Sequence, residues 1–177
     1  PGVMMASAMR TYVERYAATP ARRVALFTNN EDGWRTVETA LGAGLQIAAV
    51  LDARPDVSAT HRALAAKAGF PVLNGSVAGV EGGKDGVRKI SVALTGGARA
   101  EVEADGLAVS GGWNPAVGLT SYHRGRPKWQ DDISAFVPDS APAGMVAAGA
   151  ANGAFGLGAC LRQGFAAGAA AAHSASH

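Results

Sequence analysis

Residues 23–54 carry the pattern that most limits how this chain can fold. The apolar run Val24–Phe27 is typical of a buried parallel strand, and the polar turn Thr28–Gly33 follows it. Next comes a segment with apolar residues at helical spacing, and a second apolar run, 46–51, ends at Asp52. A strand–helix–strand unit of about 30 residues that closes on an acidic residue is the plan of a dinucleotide-binding half-domain.

The following residues extend this unit. Ser58 is the predicted N-cap of a helix that ends at Gly69, and residues 70–73 form a third parallel strand before a turn at Asn74-Gly75. Three alternating stretches then predict an antiparallel meander, and residues 106–110 return as a parallel strand. The meander strands are 76–80, 87–94 and 99–103. We therefore predict an α/β fold, a Rossmann-like three-layer domain: a parallel sheet with helices on one face and a three-stranded antiparallel meander on the other.

The two ends of the chain add a helix each. The first helix is predicted at 4–17, and one side of it carries an apolar stripe that we expect in the core: Met5, Met9, Tyr12, Val13 and Tyr16. Residues 116–143 have little periodicity and predict a loop-rich segment. Residues 144–150 predict one more strand, and a last helix begins near Gly156, with Cys160 as a small buried apolar residue.

Composition narrows the class of protein. Of 177 residues, 48% are hydrophobic and 17% charged, and the net charge is only +2 with scattered basic residues, which argues against a nucleic-acid partner. Cys160 is the single cysteine, which excludes an intramolecular disulfide and fits a reducing, cytoplasmic location. The sequence has no apolar run of about 18 residues, so no membrane segment is predicted. Because the chain begins at Pro1 without a methionine, we expect it to be an internal fragment of a longer polypeptide.

Several stretches of the sequence resemble known proteins. The order of the elements, with its inserted meander, is similar to the nicotinamide-binding domain of the glutathione-reductase-like flavoproteins. The stretch Ala104–Pro115 is similar to that family's crossover back toward its flavin domain, and the closing Met145–Ala150 resembles its last strand. Within that family, three further stretches resemble the alpha subunits of heterotetrameric sarcosine oxidases: Phe27–Asp32, Val50–Pro55 and Gly149–Gly153. The resemblance divides the chain into a lead helix (1–19), a Rossmann-like βαβ domain with meander (20–110), and a return segment with the C-terminal strand–helix of an incomplete flavin-type domain (111–177).

The resemblance implies a function for the parent enzyme. Such an enzyme is a complex of several subunits that oxidatively demethylates N-methylglycine, a small amine, with flavins and NAD as cofactors. Its partners would be the other subunits of the heterotetramer. The fragment itself is expected to bind no cofactor and to be inactive alone.

The turn after the first strand departs from a working dinucleotide site. Such a turn has the pattern Gly-x-Gly-x-x-Gly, so that bare backbone approaches the diphosphate at the helix N-terminus. Here Thr28, Asn29 and Asn30 precede two acids, Glu31 and Asp32, and glycine stands only at the end. A phosphate about 4 Å from one carboxylate meets roughly 4 kcal/mol of repulsion near a protein surface.

We therefore favour a scaffold and interface domain with a degenerate site, and a functional NAD or adenine-nucleotide module is the alternative. A flavoprotein reductase lobe whose flavin domain lies elsewhere is a third hypothesis.

Four other residues are candidates for cofactor contacts. Asp52 would accept ribose hydroxyls, or it would pair with Arg54 or cap a loop, and the missing glycines favour the second role. Gly149 and Asn152 lie near the position where the family contacts its flavin. No catalytic residue and no metal site is predicted, because His61 and the other histidines lack metal-ligand spacing.

Overall fold

The strand–helix–strand unit is present in the computed structural model, which describes residues 1–122 and 125–175. The chain forms two compact units, Pro1–Gly112 and Trp113–His177. In chain order the first unit contains β1 (Val3–Met5), α1 (Ala6–Tyr16), β2 (Arg23–Thr28), α2 (Glu31–Gly42), β3 (Gln46–Asp52), α3 (Ala59–Ala68), β4 (Val72–Gly83), β5 (Gly86–Leu94), β6 (Arg99–Glu103) and β7 (Gly106–Ser110). The division at residues 19 and 110 that the resemblance implies stays a prediction.

The strands of the first unit form one sheet in the order β1-β7-β2-β3-β4-β5-β6. The first five strands of that order are parallel, and β4, β5 and β6 pair antiparallel. The parallel register places Thr28 opposite both Asp52 and Ser110, and it places Asp52 opposite Asn74. The carboxyl ends of β7, β2 and β3 therefore meet at one edge of the sheet beside Asn74 of β4, and open α/β sheets bind their ligands at this edge.

Two hydrophobic clusters lie on opposite faces of the parallel strands. The helix-side cluster joins α1, α2 and α3 to the sheet and includes Met9, Val24, Leu26, Trp34, Val37, Val50 and Ala65. The meander-side cluster joins β5 and β6 to the other face and includes Ala25, Ala49, Leu51, Ile90, Val92, Val102 and Leu107. Alternate residues of β2 and β3 serve the two clusters, as the period of two in a strand requires. The predicted α/β fold with helices on one face and a meander on the other is confirmed.

The third parallel strand does not end at the predicted turn. β4 runs without a break from the parallel sheet into the meander, and Asn74 and Gly75 lie inside it. A Cβ built on Gly75 would lie 2.3 Å from the carbonyl oxygen of Ala93, so this glycine permits two backbones to approach closely. The turn prediction was wrong because a glycine suits both a turn and a close approach of two backbones, and the sequence alone does not distinguish them.

The N-terminal helix is shorter and less buried than predicted. It begins at Ala6, because the residues before it form β1 at the edge of the sheet. Within the predicted stripe Met9 is buried, whereas Met5, Tyr12 and Tyr16 are 59%, 48% and 65% exposed. The stripe prediction was therefore largely wrong: the inward face of α1 packs on α2 and β7 through its small residues and Met9.

The second unit contains short elements and one long helix. These are α4 (Gly118–Ser121), β8 (Pro127–Gln130), β9 (Ala135–Pro138), a 3₁₀ helix (Gly149–Asn152) and α5 (Leu157–Ala175). β8 and β9 pair as an antiparallel hairpin inside the segment that we predicted to be loop-rich. The predicted strand at 144–150 is absent from the described residues, where the 3₁₀ helix begins at Gly149, whose φ is +65°. The predicted buried Cys160 is half-buried, and its thiol donates to the carbonyl oxygen of Ala154 at 2.8 Å.

His123 and Arg124 of the predicted loop-rich segment lie outside the described residues, as does His177, one of the histidines without metal-ligand spacing. In the part of the chain that the structure describes, no helix is both long and apolar enough to cross a bilayer.

Candidate dinucleotide site

The carboxyl edge of the first unit's sheet brings together five of the seven predicted site residues. Thr28 ends β2, Asn29 and Asn30 form the turn into α2, Asp52 ends β3, and Arg54 follows it. Their proximity follows from the parallel register of β2, β3 and β7.

Asn30 is the N-cap of α2, and its side chain occupies the helix N-terminus. Its Oδ1 accepts hydrogen bonds from the backbone N–H of Asp32 at 2.9 Å and of Gly33 at 3.3 Å. Its Nδ2 donates to Asn29 Oδ1 at 2.9 Å and to the carbonyl oxygen of Ser110 at 2.9 Å. Backbone N–H groups at this place are the donors that hold a diphosphate in a working dinucleotide fold. Two of them are already satisfied by the protein.

Gly33 occupies the place of the third glycine in the Gly-x-Gly-x-x-Gly pattern. A Cβ built there would lie 2.2 Å from Oγ1 and 2.6 Å from Cβ of Thr28, and 3.2 Å from Cβ of Ser110. The third glycine of the pattern serves close helix–strand packing, whereas the second admits the diphosphate. The packing glycine is therefore present, and Thr28 and Asn30 stand at the first two positions.

Both acids at the start of α2 have basic partners. The Asp32 carboxylate accepts from Arg10 Nη2 at 3.1 Å, and Arg10 Nη1 also donates to the Asp32 carbonyl oxygen at 3.1 Å. Glu31 Oε1 accepts from Arg54 Nη1. These pairs place two carboxylates and two guanidinium groups around the N-terminus of α2, where acidic side chains also interact favourably with the helix dipole.

Asp52 is fully buried, and both of its carboxylate oxygens are used. Oδ2 accepts from Trp34 Nε1 at 2.9 Å and from Arg54 Nη2 at 2.7 Å, and Oδ1 accepts from the Nε and the backbone N–H of Arg54 at 3.0 and 3.1 Å. The hydrogen bond to Asp52 raises the pKa of Arg54 above its ordinary value, and burial opposes that rise. The carboxylate that would receive ribose hydroxyls is thus engaged with an arginine and an indole.

Next to this pair lies a contact between α2 and α3. The imidazole of His61 stacks on the Trp34 indole with ring centroids 4.3 Å apart and an angle of 3° between the planes. Asn74 lies at the same edge of the sheet, and its Nδ2 donates to the carbonyl oxygens of Asp52 and Arg54.

The remaining two predicted site residues lie in the second unit. The backbone N–H of Gly149 donates to Gln163 Oε1 at 2.9 Å, and Asn152 Nδ2 lies 3.5 Å from the same oxygen. Both contacts tie the 3₁₀ helix to α5. They form no cluster of titratable groups, and the described residues hold no group of three or more potential metal ligands anywhere.

Sequence reasoning missed four side chains of the edge: Arg10, Trp34, His61 and Ser110. Arg10 and His61 lie on other helices, 22 and 30 residues from Asp32 and Glu31, so only the tertiary fold brings them close. Trp34 is one of the residues at helical spacing in the predicted helix after the polar turn. Its indole N–H was the available signal, because a buried Trp usually needs an acceptor.

Comparison with known proteins shows which sequences this chain is similar to. No protein-family model matches the chain. The sarcosine oxidase subunit alpha of Rhizobium meliloti is 36% identical over 93% of the chain, and that of Corynebacterium sp. strain P-1 is 39% identical over 99%. The chain spans 16% and 19% of the length of these two relatives.

Solved structures agree on the fold. A 2-naphthoyl-CoA reductase complex superposes with a TM-score of 0.59 over 94% of this chain and 23% of its own, at 18% identity. The thioredoxin reductase of T. acidophilum gives a TM-score of 0.59 over 99% of this chain and 58% of its own, at 16% identity. The fold is therefore a Rossmann-like α/β fold. Over nearly its whole length, the chain is similar to one segment of these sarcosine oxidase alpha subunits.

Proposed function

We propose that the first unit serves as a scaffold and interface domain of an oxidoreductase subunit and that its dinucleotide site is degenerate. The observation that carries this proposal is the Asn30 cap, whose Oδ1 already accepts from the N–H groups of Asp32 and Gly33. A diphosphate at this helix N-terminus would have to displace that side chain. The diphosphate could also not come as close to the backbone as it does where glycine occupies the second glycine position of the pattern.

The charges at the edge support the same conclusion. A diphosphate entering here meets the carboxylates of Glu31 and Asp32, and the arginines that would offset them are already paired with these acids and with Asp52. An unpaired near-surface carboxylate would repel a phosphate at 4 Å by about 4 kcal/mol, half of the roughly 8 kcal/mol that a micromolar site supplies, and the ion pairs with Arg10 and Arg54 reduce this repulsion. The residues present do not fit a bound dinucleotide. We therefore assign no cofactor and no reaction step to this unit.

The activity of the whole protein is proposed from its relatives. We infer that it is the alpha subunit of a heterotetrameric sarcosine oxidase, which oxidatively demethylates N-methylglycine or a similar small amine with flavins and NAD in the complex. The other subunits of that complex are the partners that the scaffold role requires. No nucleic acid or membrane is proposed as a partner, and a cytoplasmic location stays a prediction.

A working NAD or adenine-nucleotide module is the second candidate. Two observations favour it: Gly33 keeps the close packing of α2 on β2, and an acidic residue, Asp52, ends β3 where such folds bind ribose. In this case Asn29, Asn30 and Arg54 would have to turn toward the nucleotide.

Calorimetric titration of the chain with NAD and with ADP separates the two candidates. We expect no saturable heat up to millimolar nucleotide. The triple variant Asn30→Gly/Glu31→Gln/Asp32→Asn, which removes the cap and both charges, is expected to bind more tightly than the wild type. Glu38→Gln, an exposed acid later in the same helix, is the control and should change nothing. Saturable micromolar binding by the wild type would contradict the degenerate site.

A further inference from the structure

β6 is an edge strand, and its hydrogen bonds to β5 show which of its backbone groups point outward. It lies at the end of the seven-stranded sheet and pairs with β5 in a regular antiparallel register without a bulge. Just beyond the two ends of this ladder, the Leu94 N–H donates to the Ala98 carbonyl oxygen at 2.8 Å, and the Ala104 N–H donates to the Arg88 carbonyl oxygen at 3.2 Å. Because hydrogen-bonded pairs alternate along an antiparallel ladder, the even-numbered residues of β6 bond to β5 and the odd-numbered ones point away from it.

The outward-pointing residues of β6 are Arg99, Glu101 and Glu103. Their backbone N–H and C=O groups have no hydrogen-bond partner among the described residues, and their side chains are exposed. Ala100 and Val102 alternate with them and turn toward the core. A strand edge with free donors and acceptors is a template to which another strand can add.

A cleft of about 970 Å³ lies along this open edge. Glu101 and Glu103 line it from the outer face of β6 and Val102 lines it from the inner face, so the cleft borders the edge of the strand and not one of its faces. The rest of the lining includes four half-buried apolar side chains: Leu41, Leu45, Ile47 and Leu73. A recess beside a free backbone edge supplies both features that strand addition uses, main-chain hydrogen bonds for affinity and pockets for alternate side chains.

The charges beside the edge limit which strand can add. Lys89 lies 3.0 Å from Glu101 and 3.4 Å from Glu81, so Glu101 already has a cationic partner. The Glu103 side chain is 82% exposed, and its ion pair with Arg23 is long, at 3.9 Å. The Glu103 carboxylate can therefore pair with a basic side chain on an added strand, whereas an acidic side chain opposite it would be repelled.

We propose that the open edge of β6 and the cleft beside it bind an extended segment of a partner protein, which adds to the sheet as a further strand. Apolar side chains of this segment fill the cleft, and the basic side chains that alternate with them face Glu103. The inference rests on the interface role proposed above but not on the degenerate nucleotide site. Arg23 and Gln46, the first residues of β2 and β3, line the cleft, so it lies at the ends of these strands opposite to the nucleotide site.

Calorimetric titration of the chain with an acetylated and amidated peptide, Lys-Val-Lys-Val-Lys, tests the proposal. We expect saturable binding below millimolar peptide, weaker at high salt, and no binding of Glu-Val-Glu-Val-Glu. Amide exchange measured by NMR locates the bound peptide. The amides of Glu101 and Glu103 should exchange more slowly in the complex, whereas those of Ala100 and Val102, which already bond to β5, should change little.

Glu101→Pro is the decisive variant, and Glu101→Gln is its matched control. Both remove the carboxylate, but only proline removes the outward N–H, which takes no part in the ladder with β5. We expect Glu101→Gln to weaken binding by no more than about fivefold, as for a surface ion pair, and Glu101→Pro to weaken it at least about tenfold further. Arg99→Pro, at another outward N–H, repeats the test if circular dichroism shows that Glu101→Pro is unfolded.

Three results would overturn the proposal: equal peptide affinities of the proline and glutamine variants, slowed amide exchange away from β6, or no saturable binding at millimolar peptide. A dimer of the wild-type chain that Glu101→Pro dissociates in sedimentation would also overturn it, because the edge would then belong to a second copy of the chain. The nucleotide titration described above judges the degenerate site separately, so the two proposals fail independently.

Discussion

A Cβ on Gly33 would lie 2.2 Å from Oγ1 of Thr28, so the first turn of α2 packs against β2 with no space for a side chain. This contact retains the packing function of a dinucleotide fold. Three residues earlier, Asn30 stands where the diphosphate function needs a glycine. The fold and the ligand site of this motif therefore depend on different positions, and one can be kept while the other changes.

Gly33→Ala tests the packing role. We expect it to lower the free energy of unfolding by about 1–3 kcal/mol, because the new methyl group forces α2 away from β2. Gly42→Ala, in the last turn of the same helix with nothing within 4 Å of its Cβ, should be neutral or stabilising by about 0.5–1 kcal/mol. Urea denaturation of both variants measures the difference. Equal stabilities would mean that α2 relaxes freely and that the contact is unimportant.

Asp52→Ala tests the buried ion pair. The change removes the acceptor of the buried Trp34 N–H and of Nε and Nη2 of Arg54, whose Nη1 keeps Glu31, so we expect a loss of about 3–5 kcal/mol. The control is Asp56→Ala, whose partner Arg62 lies on the surface, with a loss of no more than about 1 kcal/mol. Chemical denaturation at pH 7 distinguishes them. Similar losses in both variants would show that burial contributes nothing to the Asp52 pair.

The contribution of the Asn30 cap to the free energy of unfolding can be tested separately. Asn30→Ala removes the acceptor of two N–H groups, and we expect a loss of about 0.5–2 kcal/mol. Asn30→Asp keeps the acceptor, so it should retain most of the stability if the carboxylate tolerates the nearby Glu31 and Asp32. Ser58→Ala is the reference variant, because it removes an ordinary serine N-cap from α3. Ser58 Oγ accepts from the backbone N–H of His61 at 3.3 Å. Thermal unfolding of the three variants measures the loss. An Asn30→Ala variant as stable as the wild type would contradict the cap.

Lys89 gives a prediction in alkaline solution. Hydrogen bonds to Glu101 and, less strongly, to Glu81 raise the pKa of Lys89 above its ordinary value of 10.5. Because the pKa is raised in the folded state, the stabilisation is complete below 10.5 and is lost as the pH rises beyond it. The melting temperature of Lys89→Met should therefore lie below that of the wild type at pH 8, and the gap should narrow above pH 10.5 and with added salt. Lys67→Met, on an exposed face of α3, is the control. A gap that is independent of pH and salt would indicate lost packing by the lysine stem.

The sequence predicted the elements whose signals are local. β3 ends at Asp52 as predicted, Ser58 caps α3, and β7 covers the predicted residues 106–110. Each of these has a run of strand-forming residues or a capping side chain that acts over a few positions.

Elements that depend on distant partners were not predictable in the same way. β1 is only three residues long and exists because β7 offers it a parallel edge. The strand expected at 144–150 has an apolar run but no pairing strand among the described residues of its unit. At the candidate site, the missing glycines favoured pairing of Asp52 with Arg54 or a loop cap over ribose binding, and only the tertiary fold shows Trp34 beside Arg54 on its oxygens.

The uninterrupted β4 strand has a mechanical consequence. Its first residues pair with β3 in the parallel layer, and its later residues pair with β5 in the meander. Because one continuous strand carries both ladders, we expect the two layers to open together. Amide protons of β3 and β5 should therefore exchange with solvent through a common opening event, at one rate, under conditions that favour global opening.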